Sequence, residues 1–328
     1  MRAAWYERVG AADDVLVVGE LPDPQPGIGE VRVRLLATGV NPADVKRRAG
    51  AGGRAMIAPR VVPGDDGAGV IDRIGPRVPS TRLGERVWLH CANQGRPYGT
   101  SAEHVVVPSD RAVELPADTS FEVGACLGVP ALTAHRAVFV DGPVAGKTML
   151  VTGGAGAVAH YAIELAKHGG ATVLATASTP EKQRAALAAG ADHVVDYRSE
   201  DAAAEILALS GGGGVQRVVD VAFGANLPLT SAVIATNGTI VAYGSDAVTE
   251  PALPFYPLMR RNITIRAVQV FTMPAPALRA ATEHVNRLLA DQVLTHPIAD
   301  RFPLAEIAAA HRRVESGAAV GKVLIAQR

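Results

Sequence analysis

Apolar and polar positions change rhythm along this chain near residue 119. Before that point, short β-branched runs stand at Val15 to Val18, Glu30 to Leu36 and Val105 to Val107. Pro22, Pro24, Pro26, Gly27, Gly29, Gly64 and Gly67 punctuate them. Short strands broken by turn residues predict a compact β-barrel domain. Thr119-x-x-Glu122 then reads as a capping box that opens a helix. From there strand-length apolar runs alternate with helical periodicity: strand 148–151, helix 156–168, strand 171–175, helix 180–189, strand 193–196, helix 201–209, strand 215–221, helix 226–235, strand 238–243 and strand 263–270. Such alternation predicts parallel strands with helices on both faces. Helices over 275–290 and 304–316 and a strand over 322–326 close the chain. Gly211 to Gly214 reads as a loop rather than a phosphate site, because a strand and not a helix follows it.

The stretch Met149 to Ala159 carries the strongest chemical signal. A strand feeds the turn Gly154-x-Gly156-x-x-Ala159, which matches the dinucleotide-binding fingerprint between a strand and a helix. Gly154 is expected to make the tight turn, Gly156 to let backbone approach a pyrophosphate, and Ala159 to pack helix on strand. Ala155, Ala157 and Val158 complete the turn and the helix N-terminus, whose free N–H groups and partial positive charge suit phosphates.

Composition narrows the classes. With 328 residues the chain is long enough for two domains. Lys plus Arg and Asp plus Glu number 32 each, so nothing favours a nucleic acid or an anionic membrane as partner. Two cysteines, Cys91 and Cys126, exclude a disulfide framework and a four-cysteine zinc lobe. No apolar run approaches the roughly 18–20 residues that span a bilayer, and the N-terminus has no apolar signal core. The expectation is a cytoplasmic protein.

Several segments together resemble the medium-chain dehydrogenase/reductases, and within them the zinc-independent quinone oxidoreductases of the zeta-crystallin type. Gly39-Val40-Asn41-Pro42-Ala43-Asp44 looks like the family's GVNPxD segment, and Pro63 to Val70 like its PGxDxAGV turn. Leu132-Thr133-Ala134, Gly190-Ala191 with Asp196-Tyr197-Arg198, and Gly321-Lys322 before the last strand match further family segments. The resemblance implies an α/β protein with a GroES-like β-barrel catalytic domain over 1–122 and 271–328. A Rossmann domain, a doubly wound parallel sheet that binds NADPH, covers 123–270. It also implies a homodimer that reduces quinones or related acceptors, and it places Lys322 among the cofactor-binding residues.

Zinc members of that superfamily carry a cysteine after the Gly-Val and a His-Glu pair in the second turn. Here Asn41, Asp65 and Asp66 stand there, a poor donor set for zinc, so no metal is expected. Asp65 and Asp66 read as turn and domain-seam residues, with direct participation in the chemistry as the alternative. His90-Cys91 could suggest a metal, but neighbours on a strand point to opposite faces. Roughly 20 residues past the first glycine an NAD enzyme places Asp or Glu on the ribose. Ser178 stands there instead, with Lys182 and Arg184 following, which favours NADPH. The resemblance adds Tyr197 to the surroundings of the 2′-phosphate. Ser178-x-x-Glu181 is equally a capping box ahead of Pro180.

For the reaction, Asn41 and Thr133 are candidates to orient cofactor or acceptor, or else are ordinary turn and helix-start residues. Phe271 is similar to an aromatic near the nicotinamide in the family, or else belongs to the core. Lys46 stands where the family often has a tyrosine; with Arg47 and Arg48 it either contacts the acceptor or forms a solvated charge run. Ala157 and Ala159 replace glycines usual in quinone reductases. A quinone acceptor thus has two rivals. One is a conjugated enone or enoyl thioester; the other is NADPH binding with little turnover.

Overall fold

In the computed structural model, which describes residues 1–326, the strands between residues 148 and 267 form one parallel sheet. Its strand order is His193–Val195, Thr172–Thr176, Thr148–Val151, Val215–Asp220, Ile234–Ala242 and Thr264–Ala267. The chain winds outward from Thr148–Val151 and then returns to lay Val215–Asp220 on its other side. Doubly wound sheets bind ligands beyond the strands' carboxyl ends at such a reversal. Helices Ala157–His168, Pro180–Ala188, Ala202–Leu209 and Phe223–Val233 make the crossovers. Leu150, Leu174, Val218 and Ile240 are buried among Ile206, Val215 and Val233. Strands covered on both faces need unbroken apolar runs, which is why Met149-Leu150-Val151 does not alternate. Burial of each such Leu or Val contributes about 1.5–3 kcal/mol.

Several boundaries differ from expectation: the strand expected over 238–243 begins at Ile234 and the helix expected from 304 begins at Ile307, and two further differences have local reasons. The helix expected over 226–235 begins at Phe223, because the Asp220 carboxylate accepts the Ala222 N–H at 3.0 Å and Asn226 Nδ2 at 2.7 Å. The last strand ends at Ala267 rather than residue 270, since Val270–Thr272 forms a 3-10 turn.

The remaining strands build a sheet with the path Ile298–Pro303, Lys322–Ala326, Glu30–Val40, Asp66–Ile74, Arg86–Leu89 and Ala112–Glu114, and His104–Pro108 also pairs with Glu30–Val40. Most pairings are antiparallel; Ile298–Pro303 with Lys322–Ala326 is parallel. Val31, Val33 and Leu35 alternate into a core with Ile71, Val87, Leu89, Val105 and Val107, the period-2 pattern of a half-buried strand. Val15 to Val18 does not make one strand: Ala12–Val15 is a helical turn, and Val17–Glu20 pairs with Arg2–Trp5. Helix Phe121–Phe139 is capped by Ser120, whose hydroxyl accepts the Val123 N–H at 3.2 Å, not by Thr119.

The chain divides into two compact units, Met1–Val129 with the segment from Thr282 onward, and Pro130–Ala281. These divisions fall inside helices Phe121–Phe139 and Ala275–Ala290, later than the expected 122/123 and 270/271. Among the described residues no helix is long and apolar enough to cross a membrane.

Candidate functional site

The expected site residues lie in both units. Asn41, Lys46 and Lys322 belong to the first; Thr133, the 154–158 turn, Ser178, Lys182, Tyr197 and Phe271 belong to the second.

In the second unit the glycine-rich turn follows strand Thr148–Val151, and helix Ala157–His168 starts with Gly156 as its N-cap. The left-handed position of the turn is Gly153, at φ +65°, and not Gly154 as the fingerprint suggested. Gly154 serves packing: a Cβ there would come within 2.9 Å of Ala186 Cβ and 3.0 Å of Ala175 Cβ. Its N–H donates to the Thr176 carbonyl at 2.8 Å. Gly156 is exposed, and a Cβ there would meet only the Gly153 carbonyl, at 3.3 Å. Ala155 and Ala159 are buried; Ala157 and Val158 are half-buried in the first turn. The first intrahelical bond is the His160 N–H to the Gly156 carbonyl, so the preceding N–H groups are those a helix start offers to an anion.

Thr152 and Asp220, which the sequence reading did not single out, tie the two central strands together. The Thr152 hydroxyl donates to Asp220 Oδ1 at 2.8 Å and accepts the Val221 N–H at 3.0 Å. The available signal was a polar residue directly after each of two adjacent apolar runs.

Beyond strand Thr172–Thr176, helix Pro180–Ala188 is capped by Thr179, whose Oγ1 accepts the Lys182 N–H at 3.3 Å. The capping box read at Ser178 is thereby corrected. The Ser178 carbonyl accepts from the Arg198 guanidinium, which also grips Asp196 through Nε at 3.0 Å and Nη2 at 2.8 Å. The same guanidinium holds the Asp196 carboxyl down to about 2. Arg198 had been quoted only within a motif. Tyr197, beside it, is 47% exposed, and Lys182 is half-buried in the first turn of the capped helix.

In the first unit Asn41 is the N-cap of helix Pro42–Ala49, and its own N–H donates to Asp44 Oδ2 at 2.9 Å. Its side chain also reaches other elements. Nδ2 donates to Asp66 Oδ2 at 2.8 Å, and Oδ1 accepts Lys322 Nζ at 2.5 Å. Lys322 Nζ also donates to Asp66 Oδ2 at 2.8 Å, while Asp66 Oδ1 accepts the Val129 N–H at 2.8 Å. Asp65 pairs with Arg47 and accepts the Asn93 N–H at 3.2 Å. Asp65 and Asp66 are fully buried and, beyond their place at the turn, anchor an ionic network. Burial is the main cause that pushes the neighbouring Asp44 carboxyl up, while Arg47 opposes it.

Lys46 is half-buried on the same helix. Its neighbours are not the solvated run first expected, since Arg48 is buried against Glu315 and the Gly10 carbonyl and Arg47 reaches Asp65. Thr133 is buried in the middle of Phe121–Phe139 and is no helix-start residue. Phe271 is half-buried in the 3-10 turn. His90 and Cys91 lie just past strand Arg86–Leu89, with Cys91 at φ +52°. Burial lowers His90 to about 4 and pushes Cys91 up to about 12. Among the described residues no group of three or more His, Cys, Asp or Glu is gathered as a metal site.

Comparison with known proteins matches residues 27–117 to the alcohol dehydrogenase GroES-like domain and residues 157–287 to the family described as zinc-binding dehydrogenase. Human quinone oxidoreductase is 27% identical over 329 residues, 99% of this chain and 97% of that protein. A 2-haloacrylate reductase of Burkholderia sp is 29% identical, with 98% of each chain covered. Among solved structures, an NAD-dependent alcohol dehydrogenase is 31% identical at TM-score 0.91, with both chains fully (100%) covered. A mycobacterial protein complexed with NADPH is 30% identical at TM-score 0.89, again with both chains 100% covered.

Proposed function

The chain belongs to the medium-chain dehydrogenase/reductase family of oxidoreductases, and from that premise we propose that it is an NADPH-dependent reductase of a quinone or similar conjugated carbonyl, acting without zinc. The observation that carries the cofactor reading is the carboxyl edge of the parallel sheet. There an exposed Gly156 opens a helix N-terminus, and Ser178, Lys182 and Arg198 follow the next strand. The helix N–H groups suit a diphosphate. Ser178 stands where a carboxylate would repel a 2′-phosphate, and two cations flank it. Neighbouring structures supply precedent for both nicotinamides; the absence of a carboxylate at Ser178 is what favours NADPH.

The bound cofactor supplies the hydride, and the residues of this chain bind, orient and keep water away. Zinc independence is supported by the first unit. Asp66 already accepts from Asn41, Lys322 and Val129, so a metal would have to displace a buried ammonium. The zinc-binding dehydrogenase match, 157–287, does not include these residues. A quinone leaves a stabilised phenolate that solvent can protonate, so no strong protein acid is required.

A second reading, reduction of a carbon–carbon double bond conjugated to a carbonyl, is favoured by the likeness to 2-haloacrylate reductase. Loss of NADPH absorbance across quinones, enones and enoyl thioesters separates the two. Turnover of chelator-washed protein is expected, with NADPH preferred to NADH by about tenfold or more. Tight NADPH binding with no acceptor-dependent oxidation would leave a cofactor-binding protein instead. Stoichiometric zinc whose removal abolishes activity would refute the metal-free reading.

A further inference from the structure

A groove of about 390 Å3 opens in the second unit. Leu227 and Pro228 of helix Phe223–Val233 form one wall, and Val248, Pro251, Ala252 and Pro254, after strand Ile234–Ala242, form the other. Every one of these residues lies within Pro130–Ala281, the unit that carries the glycine-rich turn. Small-molecule sites run from about 300 to 1,000 Å3, so the volume suits a small ligand or one part of a larger one. Hydrogen bonds clip the two walls together. The Gly224 N–H donates to Ser245 Oγ at 2.9 Å, and that hydroxyl donates to the Val248 carbonyl at 2.6 Å. The close approach requires glycine, because a Cβ at Gly224 would fall 2.2 Å from the Val248 carbonyl oxygen.

The groove stands at the ligand-binding end of the sheet. The chain leaves strand Val215–Asp220 almost directly into the helix that makes one wall, and leaves Ile234–Ala242 into the segment that makes the other. The Phe223 N–H donates to the Gly244 carbonyl at 2.9 Å and ties the two exits together. Doubly wound sheets place ligands beyond these carboxyl ends. Val221 links the groove to the glycine-rich turn. A Cβ at Gly153 would fall 3.0 Å from Val221 Cγ1, and one at Gly244 would fall 2.5 Å from the Val221 carbonyl oxygen. The lining then selects the ligand. Phosphate, ribose and carboxamide groups need hydrogen-bond partners when they leave water. The lining side chains are all apolar, and the Gly224 N–H is already engaged. Pro228, Pro251 and Pro254 have no N–H to offer. Such a surface rejects the polar parts of a dinucleotide and suits hydrocarbon. The prolines also fix φ, so the walls lose little freedom when a ligand binds.

We propose that this groove is a subsite for a hydrocarbon chain on the acceptor, whose reacting end lies toward the glycine-rich turn. This deepens the reductase reading and rests on it. The substrate class that follows is a quinone or enone with an apolar side chain of several carbons. The chain stays buried both before and during hydride transfer, so it acts on acceptor binding and not on the chemical step.

The test is a series of 2-alkyl-1,4-benzoquinones from methyl to octyl, read through loss of NADPH absorbance. Acceptor KM should fall about fourfold for each added methylene, the equivalent of one buried CH2, and level off once the groove is full. Along the series kcat should stay constant. Ala252→Trp puts an indole into the groove and should flatten the dependence of KM on chain length. NADPH titration and melting temperature verify that this variant is folded. On the wild type, 1-octanol should compete with the hexyl quinone and leave the methyl quinone unaffected, an arm that needs no variant. An active wild type whose KM is independent of chain length overturns this proposal alone. So does a chain-length dependence that survives in folded Ala252→Trp, since the chain would then lie elsewhere. Equal competition of 1-octanol with both quinones has the same consequence. A wild type that binds NADPH but reduces no acceptor overturns the reductase reading and this proposal together.

Discussion

Lys182 and Lys46 make opposite predictions although both are half-buried lysines on short helices. Lys182 follows Ser178 in the first turn of Pro180–Ala188, where a 2′-phosphate would sit. Lys182→Ala should raise KM for NADPH roughly ten- to a hundredfold, the equivalent of about 1.5–3 kcal/mol for one charge-assisted contact, and barely change NADH. Equal effects on both cofactors would remove Lys182 from the phosphate site. Lys46 lies on Pro42–Ala49 between Asp44 and Arg47, whose side chains are tied to Asn41 and Asp65. Lys46→Met should leave turnover within about twofold, the outcome expected of a side chain that does not touch the acceptor. A loss in kcat/KM confined to the acceptor would restore it to the chemistry. At this scale the sequence made Asn41 visible through its motif. It could not show that Asp66 and Lys322 are its partners, because those contacts span 25 and 281 positions.

The strand–turn–helix element from Thr148 to His168 was legible almost residue by residue, since its period switch and its glycines are local. The division of labour among the glycines was not. Gly153 takes the positive φ, and Gly154 is pressed between the Ala175 and Ala186 side chains, one on the next strand and one on the following helix. Gly154→Val should therefore overpack that junction and destabilise by about 1–3 kcal/mol, read as a lower urea midpoint. Gly156→Val meets only the Gly153 carbonyl, at 3.3 Å, so it should cost less stability than Gly154→Val while NADPH binding weakens. If Gly156→Val were the less stable of the two, the packing account would be wrong. The two misplaced caps have the same kind of origin. Thr119 and Ser120, like Ser178 and Thr179, are adjacent hydroxyl residues, and the backbone's exit from the preceding segment decides which one faces the helix.

For the whole molecule, among the described residues strand Thr264–Ala267 pairs only with Ile234–Ala242 and leaves its outer edge unpaired, with Ile265 exposed. Phe255, Tyr256 and Met259, on the helix just before it, are exposed as well. An unpaired edge with apolar surroundings is a liability that a two-fold partner removes. Light scattering should therefore give a dimer at micromolar concentration, and Ile265→Lys should shift it toward monomer; a monomeric wild type would end the idea. Two buried histidines contribute to the acid dependence of stability. Burial lowers His90 to about 4 and His311 to about 3, from an ordinary 6.5. The unfolded chain takes up these protons first, so their contribution is full above pH 6.5 and is lost as pH falls toward the folded values. Each should cost roughly 2 kcal/mol of stability between pH 7 and pH 5. His311→Leu should reduce the protons taken up on unfolding at pH 5 by about one.

Local patterning alone determined the alternation of strands and helices, the doubly wound class of the second unit and the position of its glycine-rich turn. Period and turn chemistry are short-range properties that the chain carries within a window of a few residues. Tertiary structure alone decided which polar residues are buried together. Asp65 and Asp66 look like turn residues in sequence and become the anchors of an ionic network. Lys322 looks like the start of a strand and becomes the cation at its centre. Arg198 looks like part of a loop and becomes the clasp on Ser178. A charge's role depends on what dielectric and which partners surround it, and both are set by segments from 18 to 281 residues apart.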